Sequence, residues 1–266
     1  MKISIIKIGG NVIDYPEKLE EFLSIFAKVP GFKILVHGGG VMASRFGESM
    51  GIMPEMIDGR RITDKDTLDM VTMVYAGLIS KTVVAKLQAL KVNAIGLTGA
   101  DGNLIRSVKR PVRGIDYGFV GDIQEVNTTL FQQLLQIGVL PVVNAITHDK
   151  KGQLLNTNAD SIASALATSL AEEHHVDLYF CFNKQGVLID ENNEQSIIPL
   201  INEDIYSELR KENVIHSGMI PKLDNAFEAL KQGVQRVWIG KAENLMMAVK
   251  GKTAGTIIER QRYDLY

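Results

Sequence analysis

Short runs of β-branched residues alternate with longer helical patterns along most of this chain, and this alternation restricts the fold more than any other feature. The predicted strands are residues 2–8, 33–36, 93–97, 139–143, 176–182, 236–239 and 256–259. The predicted helices are residues 16–28, 41–50, 64–90, 129–137, 160–170, 203–212, 219–231 and 242–249. Such alternation predicts an α/β fold with a mainly parallel sheet and helices on both faces. Because small ligands of these sheets bind beyond the carboxyl ends of the strands, residues that follow strands are the candidates for chemistry.

The composition is that of a globular protein without excess charge. The 266 residues are 45% hydrophobic, and 29 basic against 31 acidic side chains give a net charge of −2. This balance argues against nucleic acid or an anionic membrane surface as a partner. No signal peptide and no membrane-spanning segment are expected from the apolar runs. The single cysteine, Cys181, lies in an apolar run, which predicts a buried thiol in a reducing compartment, the cytoplasm.

The first predicted strand has Lys7 as its next-to-last residue, and Gly9 and Gly10 directly follow the strand. A buried lysine is costly unless its ammonium group meets an anion. Glycines allow backbone N–H groups to approach a phosphate closely. The residues alone fit an anion site and an edge-strand lysine before an ordinary turn equally well.

The second predicted strand runs into Gly38, Gly39 and Gly40 just before a helix. Backbone amides and the helix dipole at such a place favour an anion. The spacing of Gly38, Gly40 and Ala43 also fits the loose dinucleotide motif of a Rossmann oxidoreductase. That motif needs a second strand ending in an acidic residue about 20 positions on, and residues 51–61 contain no such strand. His37 has no metal-ligating neighbour at a suitable spacing and is interpreted as structural.

Arg60 and Arg61 precede the long helix 64–90. A solvated surface arginine is the commoner case, but a planar guanidinium beside an anion loop can also hold a substrate carboxylate by two hydrogen bonds. Thr63 or Asp64 is the predicted N-cap of that helix.

Asn156 and Asp160 surround the start of the helix 160–170, either as ordinary caps or as ligand contacts. Lys222 lies near the start of the helix 219–231, where a cation is disfavoured unless an anion is bound. Two lysines, glycine loops, an arginine and an Asn/Asp cluster are the equipment of phosphoryl transfer, which depends on positioning and positive charge.

Five segments occur in an order and spacing that resemble the acetylglutamate kinases of the amino acid kinase family over essentially the whole chain. They are Lys7-Ile8-Gly9-Gly10, His37-Gly38-Gly39-Gly40, Gly59-Arg60-Arg61-Ile62-Thr63, Asn156-Thr157-Asn158-Ala159-Asp160 and Gly218-Met219-Ile220-Pro221-Lys222. The resemblance implies a three-layer αβα sandwich, the carbamate kinase-like fold. It also implies an acyl-glutamate-binding and dimerisation lobe in residues 1–174 and an ATP-binding lobe in residues 175–266, joined by one continuous sheet.

The implied reaction is ATP-dependent phosphorylation of the γ-carboxylate of an N-acyl-L-glutamate, the second step of arginine biosynthesis. Mg²⁺ would be bound mainly through the nucleotide phosphates, with no metal ligand from protein side chains. By the same resemblance, Lys7 and Lys222 would neutralise charge on the transferring phosphoryl group while Asp160 holds both lysines. The implied acyl-glutamate contacts are Gly38, Gly39, Arg61 and Asn156. The implied ATP contacts are Lys7, Gly9, Gly10, Asn183 and Lys222.

Three positions depart from the family pattern. After the strand 176–182 the family usually shows a hydroxyl residue and an aspartate, whereas this chain has Phe182-Asn183-Lys184; Thr157 replaces an aliphatic residue. Arg60 replaces an uncharged residue before the substrate arginine. The extra guanidinium leads to the hypothesis that the acyl group is itself charged, as in N-succinyl-L-glutamate; the simpler alternative is a solvent-facing Arg60.

The long helix 64–90 carries an apolar stripe of Leu68, Val71, Tyr75 and Leu78. The stripe fits a helix buried in its own core, and it also fits packing against a second subunit. Arginine-inhibited members of the family carry an additional helix before the first strand, whereas here that strand begins at residue 2. We therefore expect a homodimer, formed through helix 64–90, that is insensitive to arginine.

Two alternatives remain open at this point. The chain could be another member of the superfamily, such as a glutamate, aspartate or carbamate kinase. It could also be a non-catalytic ligand-binding regulator on the same fold, although the two lysines and Asp160 argue against that.

Overall fold

The structure is a computed structural model that describes residues 1–57, 60–190, 192–212, 214–215, 219–252 and 254–260. Gly59 and Gly218, which belong to two of the motifs above, lie outside the described residues. The strands are β1 (Lys2–Ile8), β2 (Phe32–His37), β3 (Met56–Ile57), β4 (Arg60–Arg61), β5 (Ala94–Leu97), β6 (Ile105–Lys109), β7 (Gly121–Val126), β8 (Leu140–Val143), β9 (Ile146–His148), β10 (Leu154–Asn156), β11 (His175–Phe182), β12 (Leu200–Ile201), β13 (Arg236–Lys241) and β14 (Thr256–Ile258). The α-helices are α1 (Gly10–Ile13), α2 (Pro16–Ala27), α3 (Gly40–Ser49), α4 (Lys65–Thr72), α5 (Ser80–Ala89), α6 (Thr128–Gln136), α7 (Ala159–Ala171), α8 (Glu203–Lys211), α9 (Ile220–Lys231) and α10 (Leu245–Val249).

The central sheet has eight strands in the order β12–β14–β13–β11–β1–β2–β8–β5. All neighbours run parallel except β13 and β14, which are antiparallel. The predicted α/β class with a mainly parallel sheet is therefore confirmed. β1 lies in the middle, and its isoleucines at positions 3, 5, 6 and 8 are fully buried. A strand covered on both faces usually has a continuous apolar sequence, so the charged Lys7 is an exception within β1.

Helices cover both faces of this sheet. α7 packs on β1, β2 and β11 with α6 and α9 beside it, whereas α2 packs between α5 and α10. β1 pairs directly with β11, so the sheet continues through the region around residue 174 where the two lobes were predicted to meet. The division of labour between the lobes stays a prediction.

A second, four-stranded sheet was missed by the sequence analysis. Its order is β10–β9–β6–β7, with antiparallel pairs β9–β10 and β6–β7. Its strands are short, and β6 and β7 carry charged residues in place of a clear apolar alternation. Asn156 ends β10 and bridges to Val120, so this small sheet forms one wall of the cavity described below.

The predicted long helix is present as α4 and α5 joined by a π-helical segment, Met73–Ile79. Asp64 is its N-cap and accepts a hydrogen bond from the Thr67 amide at 2.8 Å. By length and hydropathy alone, the whole helix Lys65–Ala89 could cross a membrane, and 44% of its most apolar window is buried inside the protein. It packs against β5, β8 and α2, as a helix of a globular domain does.

Candidate active site

The two lysines that the sequence singled out meet at one carboxylate. Lys7, near the end of β1, places its Nζ 2.7 Å from Oδ1 of Asp160. Lys222, in the first turn of α9, places its Nζ 3.0 Å from Oδ2 of the same residue. Asp160 is fixed in the first turn of α7, because the N-cap Asn158 accepts hydrogen bonds from the amides of Asp160 and Ser161. The convergence expected from the sequence is therefore present.

The electrostatics of this cluster keep the carboxylate ionised. Burial by itself would raise the pKa of Asp160, but the charges and hydrogen bonds of Lys7 and Lys222 outweigh it and lower the pKa to about 2. The cluster brings two cationic side chains together with one carboxylate, which leaves an excess of positive charge. Lys7 and Asp160 line the larger cavity described below, where this charge favours a phosphate group.

The two glycine loops lie against each other beside these lysines. A Cβ atom on Gly10 would lie 2.5 Å from the Cα of Gly40, so the backbones can approach this closely only without side chains. Gly40 also has a φ of +55°, which favours glycine. Gly10, Gly38 and Gly40 all line the same cavity as Lys7.

Asp14, which the sequence analysis did not consider, binds at the N-terminus of α3, where the sequence had predicted an anion site. Its carboxylate accepts hydrogen bonds from the amides of Val41 at 3.0 Å and Met42 at 2.8 Å. These first amides of α3 are therefore engaged by a side chain rather than free for a phosphate. A carboxylate 27 residues away from a helix start leaves no local sequence signal, which explains the omission.

Gly9 and Asn183 are placed differently from the other predicted ATP contacts. The amide of Gly9 donates to the carbonyl of Cys181 at 2.9 Å and extends the sheet, so this N–H group is not free to bind phosphate. Asn183 lines a smaller, separate cavity with Asn11 and Lys241. A contact of Asn183 with ATP stays a prediction.

The larger cavity has a volume of about 330 Å³ and opens between β1, the triglycine loop and the small sheet. Arg61 and Asn156, predicted to bind a carboxylate, both line it and are 8% and 7% exposed. Nη2 of Arg61 donates to Oγ of Ser44 at 2.8 Å. Nδ2 of Asn156 donates to Oγ1 of Thr63 at 3.0 Å. These neighbours orient the two side chains, and neither was identified as a site residue from sequence.

Arg60 also lines the cavity and is partly buried. Burial lowers the pKa of Arg60, the charge of Arg110 lowers it further, and Asp122 and Tyr117 oppose these effects. Asp122 is itself engaged by Arg110, whose Nη2 lies 2.6 Å from its Oδ1. Within the part of the chain that the structure describes, the side chain of Arg60 has no hydrogen bond or ion pair.

Residues 2–241 match the model of the amino acid kinase family. This chain belongs to the amino acid kinase family. It is 52% identical to the acetylglutamate kinase of Cytophaga hutchinsonii over 257 residues, 96% of this chain and 97% of that protein. It is 50% identical to the acetylglutamate kinase of Parabacteroides distasonis over 244 residues, 92% and 96% of the two chains.

The fold of this amino acid kinase is also found in Giardia carbamate kinase. The two structures superpose with a TM-score of 0.69 at 14% identity, over 98% of this chain and 99% of that one. At this identity the likeness concerns the fold alone. The predicted carbamate kinase-like fold is confirmed.

Two of the residues that depart from the family pattern, Phe182 and Thr157, make specific contacts in this kinase. Nζ of Lys222 lies 5.8 Å from the ring centroid of Phe182, so an aromatic face supports the ammonium group. Oγ1 of Thr157 lies 2.8 Å from Oγ1 of Thr147, so the buried hydroxyl is satisfied by a second threonine.

Proposed function

We propose that this kinase transfers the γ-phosphoryl group of ATP to the γ-carboxylate of N-acetyl-L-glutamate, the second step of arginine biosynthesis. The observation that carries the proposal is the pairing of Lys7 and Lys222 with Asp160 at a cavity that also contains Arg61 and Asn156. The named relatives, about half identical over nearly their whole length, support the substrate.

In the proposed reaction, a γ-carboxylate oxygen attacks the γ-phosphorus of ATP. A new P–O bond forms, the bond to the β,γ-bridging oxygen breaks, and ADP leaves with that electron pair. Lys7 and Lys222 stabilise the negative charge on the phosphoryl oxygens. Asp160 acts as a positioning residue that aims both ammonium groups. No general base is required, because the attacking carboxylate is already ionised at neutral pH.

Arg61 and Asn156 hold the other end of the substrate in this proposal. The guanidinium offers paired donors to the α-carboxylate, and the amide of Asn156 offers a further contact. Amides of the glycine loops, Gly10 and Gly38 with Gly39, donate to the γ-carboxylate and the phosphoryl group. With the reacting groups held in this way, most of the barrier reduction comes from positioning and charge.

We propose that Mg²⁺ enters with ATP, held mainly by the phosphate oxygens, and supplies additional positive charge there. Among the described residues, no three His, Cys, Asp or Glu side chains cluster closely enough to hold a metal ion. Asp160, which lines the cavity, is already engaged by two lysines.

The test is ATP-dependent formation of acyl phosphate, trapped with hydroxylamine as the hydroxamate. Lys7→Ala and Lys222→Ala should each lower kcat by about a hundredfold or more, because each removes charge stabilisation of the transition state. Lys65→Ala is the matched control, since Lys65 makes an exposed ion pair with Asp69 on the long helix. No hydroxamate from any acyl-glutamate with the wild-type protein would refute the kinase and favour a ligand-binding regulator.

A substrate panel separates this proposal from its nearest alternatives. Glutamate, aspartate, carbamate and N-acetyl-L-glutamate are compared by ADP release under the same conditions. Turnover of an unacylated substrate above that of N-acetyl-L-glutamate would favour another activity within the superfamily.

The identity of the acyl group is a finer part of the proposal. Arg60 is a partly buried guanidinium in the substrate cavity with no partner among the described residues, so a second carboxylate, as in N-succinyl-L-glutamate, has a counter-ion there. A charge-assisted hydrogen bond contributes about 1.5–3 kcal/mol, or roughly tenfold to a hundredfold in kcat/KM. Arg60→Gln should remove a succinyl preference and leave acetyl turnover unchanged. A wild-type preference for the acetyl substrate would remove the hypothesis.

We further propose a homodimer formed through the long helix, in the reducing cytoplasm. Met73 and Leu78, five residues apart on that helix, are 54% and 45% exposed, so both large apolar side chains are available for burial against a second subunit. Leu78→Asp should convert a dimer into a monomer in multi-angle light scattering, whereas Met247→Asp, at another exposed apolar residue, should not. A wild-type monomer would contradict the proposal.

A further inference from the structure

His37 is the last residue of β2, directly before the triglycine loop, and its side chain is fully buried. Its Nδ1 lies 2.9 Å from the carbonyl oxygen of Gly38. Burial lowers the pKa of His37 to about 4, and the hydrogen bond to Gly38 only partly opposes this, so the ring is neutral at neutral pH. Because a carbonyl oxygen only accepts, the single ring proton is on Nδ1, which donates to Gly38.

The other ring nitrogen of His37, Nε2, is buried and has no hydrogen-bond partner among the described residues. With the proton on Nδ1, Nε2 is an acceptor, and a buried acceptor without a partner destabilises a fold. An apolar side chain at this position would avoid that penalty. The favourable polar contact of this imidazole is therefore the one that Nδ1 makes with the loop.

The carbonyl that His37 holds belongs to the peptide group between Gly38 and Gly39. In a trans peptide the C=O and N–H bonds point in opposite directions, so the Gly39 N–H group points away from the imidazole. Neither glycine has a Cβ atom, so rotation about the bonds on either side could turn this peptide over with little steric hindrance. The turned peptide would present a carbonyl oxygen in place of its N–H group, and a carbonyl oxygen repels an anion.

The N–H groups of this loop are available for a ligand. Those of Gly38 and Gly39 have no hydrogen-bond partner in the part of the chain that the structure describes, although Gly39 is buried. Unpaired buried N–H groups are rare in proteins. Gly38 and Gly40, on either side of Gly39, line the cavity that contains Lys7. Gly39 must remain a glycine, because a Cβ atom there would overlap the ring of Tyr75.

We infer that His37 is a positioning residue, whose Nδ1–H group keeps the Gly38–Gly39 peptide in the orientation that offers its N–H group to the transferring phosphoryl group. The inference rests on the proposed function, because the anion that this N–H group meets is the phosphoryl group of that reaction. It gives a role to a histidine that the sequence analysis interpreted as structural only.

A matched pair of substitutions isolates the Nδ1–H group. His37→Asn and His37→Leu have side chains of the same branching, but only asparagine has an N–H donor at the place of Nδ1. Loss of one preorganised N–H donor costs up to about a hundredfold to a thousandfold in kcat, so we expect kcat of His37→Leu to fall at least about tenfold. KM for N-acetyl-L-glutamate should stay within about threefold, because Arg61 and Asn156 are unchanged.

His37→Asn should retain kcat within about threefold of the wild type, because its amide can still donate to the Gly38 carbonyl. Its second polar atom stays buried, so in thermal melting His37→Leu should be at least as stable as His37→Asn. A purely structural histidine would instead give activities that follow the melting temperatures. His175→Leu is the control and should not change kcat, because His175 is exposed and pairs with Lys2 at the opposite end of the strands. A kcat of His37→Asn no higher than that of His37→Leu would overturn the inference.

The protonation of the ring can be measured without any assay of activity. The ¹⁵N chemical shifts of the His37 ring, assigned by their absence from His37→Asn, should show the proton on Nδ1 at neutral pH. A proton on Nε2 would overturn the inference even in a fully active kinase. If the proton is on Nδ1 but the wild type makes no acyl phosphate, the proposed function is wrong while the orientation of the peptide by His37 is still supported.

Discussion

Replacement of Asp160 by asparagine tests the central ion-pair cluster most directly. The substitution keeps the size of the side chain but removes the charge that lies 2.7 Å from Lys7 and 3.0 Å from Lys222. In the wild type these lysines lower the pKa of Asp160 from 3.8 to about 2 even though burial opposes the change. That difference corresponds to about 2 kcal/mol of folding free energy at neutral pH.

The pH dependence follows from the sign of that change. A carboxylate whose pKa is lower in the folded state stabilises the fold above its unfolded pKa of 3.8, and the contribution is lost as the pH falls towards about 2. The wild type should therefore melt about 4–8 °C above Asp160→Asn at pH 7 and at pH 5. The gap should shrink as the pH falls below 4.

The same variant should lose activity through misplacement of the lysines. Without the shared carboxylate the two ammonium groups repel each other, and a displacement of about 1 Å in such a site costs about a hundredfold in kcat. Asp69→Asn, at the exposed pair with Lys65, is the control and should change stability by less than about 0.5 kcal/mol. Equal melting temperatures and equal kcat for wild type and Asp160→Asn would refute the reasoning.

Three further predictions follow from buried contacts. Gly39→Ala should destabilise the protein and abolish turnover, because its Cβ atom would overlap the ring of Tyr75. Gly77→Ala is the control: it has open space around its Cβ atom and should melt at or above the wild-type temperature, so an equal loss of stability in both variants would contradict the prediction. Thr63→Val should raise KM for the acyl-glutamate in steady-state assays, because the Asn156 amide loses its acceptor at 3.0 Å, and an unchanged KM would argue against a role for that amide. Cys181 should resist iodoacetamide at pH 8 until the protein is unfolded, because burial raises the pKa of its thiol to about 12. Mass spectrometry follows the labelling, and rapid labelling of the native protein would show that the thiol is not buried.

Sequence reasoning located the elements of the central sheet well because the signals are local. The buried isoleucines of β1 and the glycines after β1 and β2 follow from periodicity and from backbone freedom within a few residues. The small antiparallel sheet was missed for the same reason, since strands such as Ile105–Lys109 carry no clear apolar alternation. Their pairing depends on partners distant in the chain.

Some residues of the candidate site could also be identified from local sequence signals, and others could not. Lys7, Arg61 and Lys222 could be selected from sequence because a cation at a buried strand or beside an anion loop needs a counter-charge. Asp14 and Tyr75 could not, because one looks like an ordinary residue before a helix and the other like part of an apolar stripe. What each does depends on a group far away in the chain.

By itself, the sequence determined the alternation of strands and helices, the positions of the glycine loops and the kinds of side chain available for chemistry. These depend on residue types and short spacings, which the chain carries locally. Only the tertiary structure decided that Lys7 and Lys222 share Asp160, that Asp14 engages the first amides of α3, and that the ring of Tyr75 packs against Gly39. The physical reason is that charge pairing and close packing act through space, between side chains whose separation along the chain sets no distance until the sheet has brought them together.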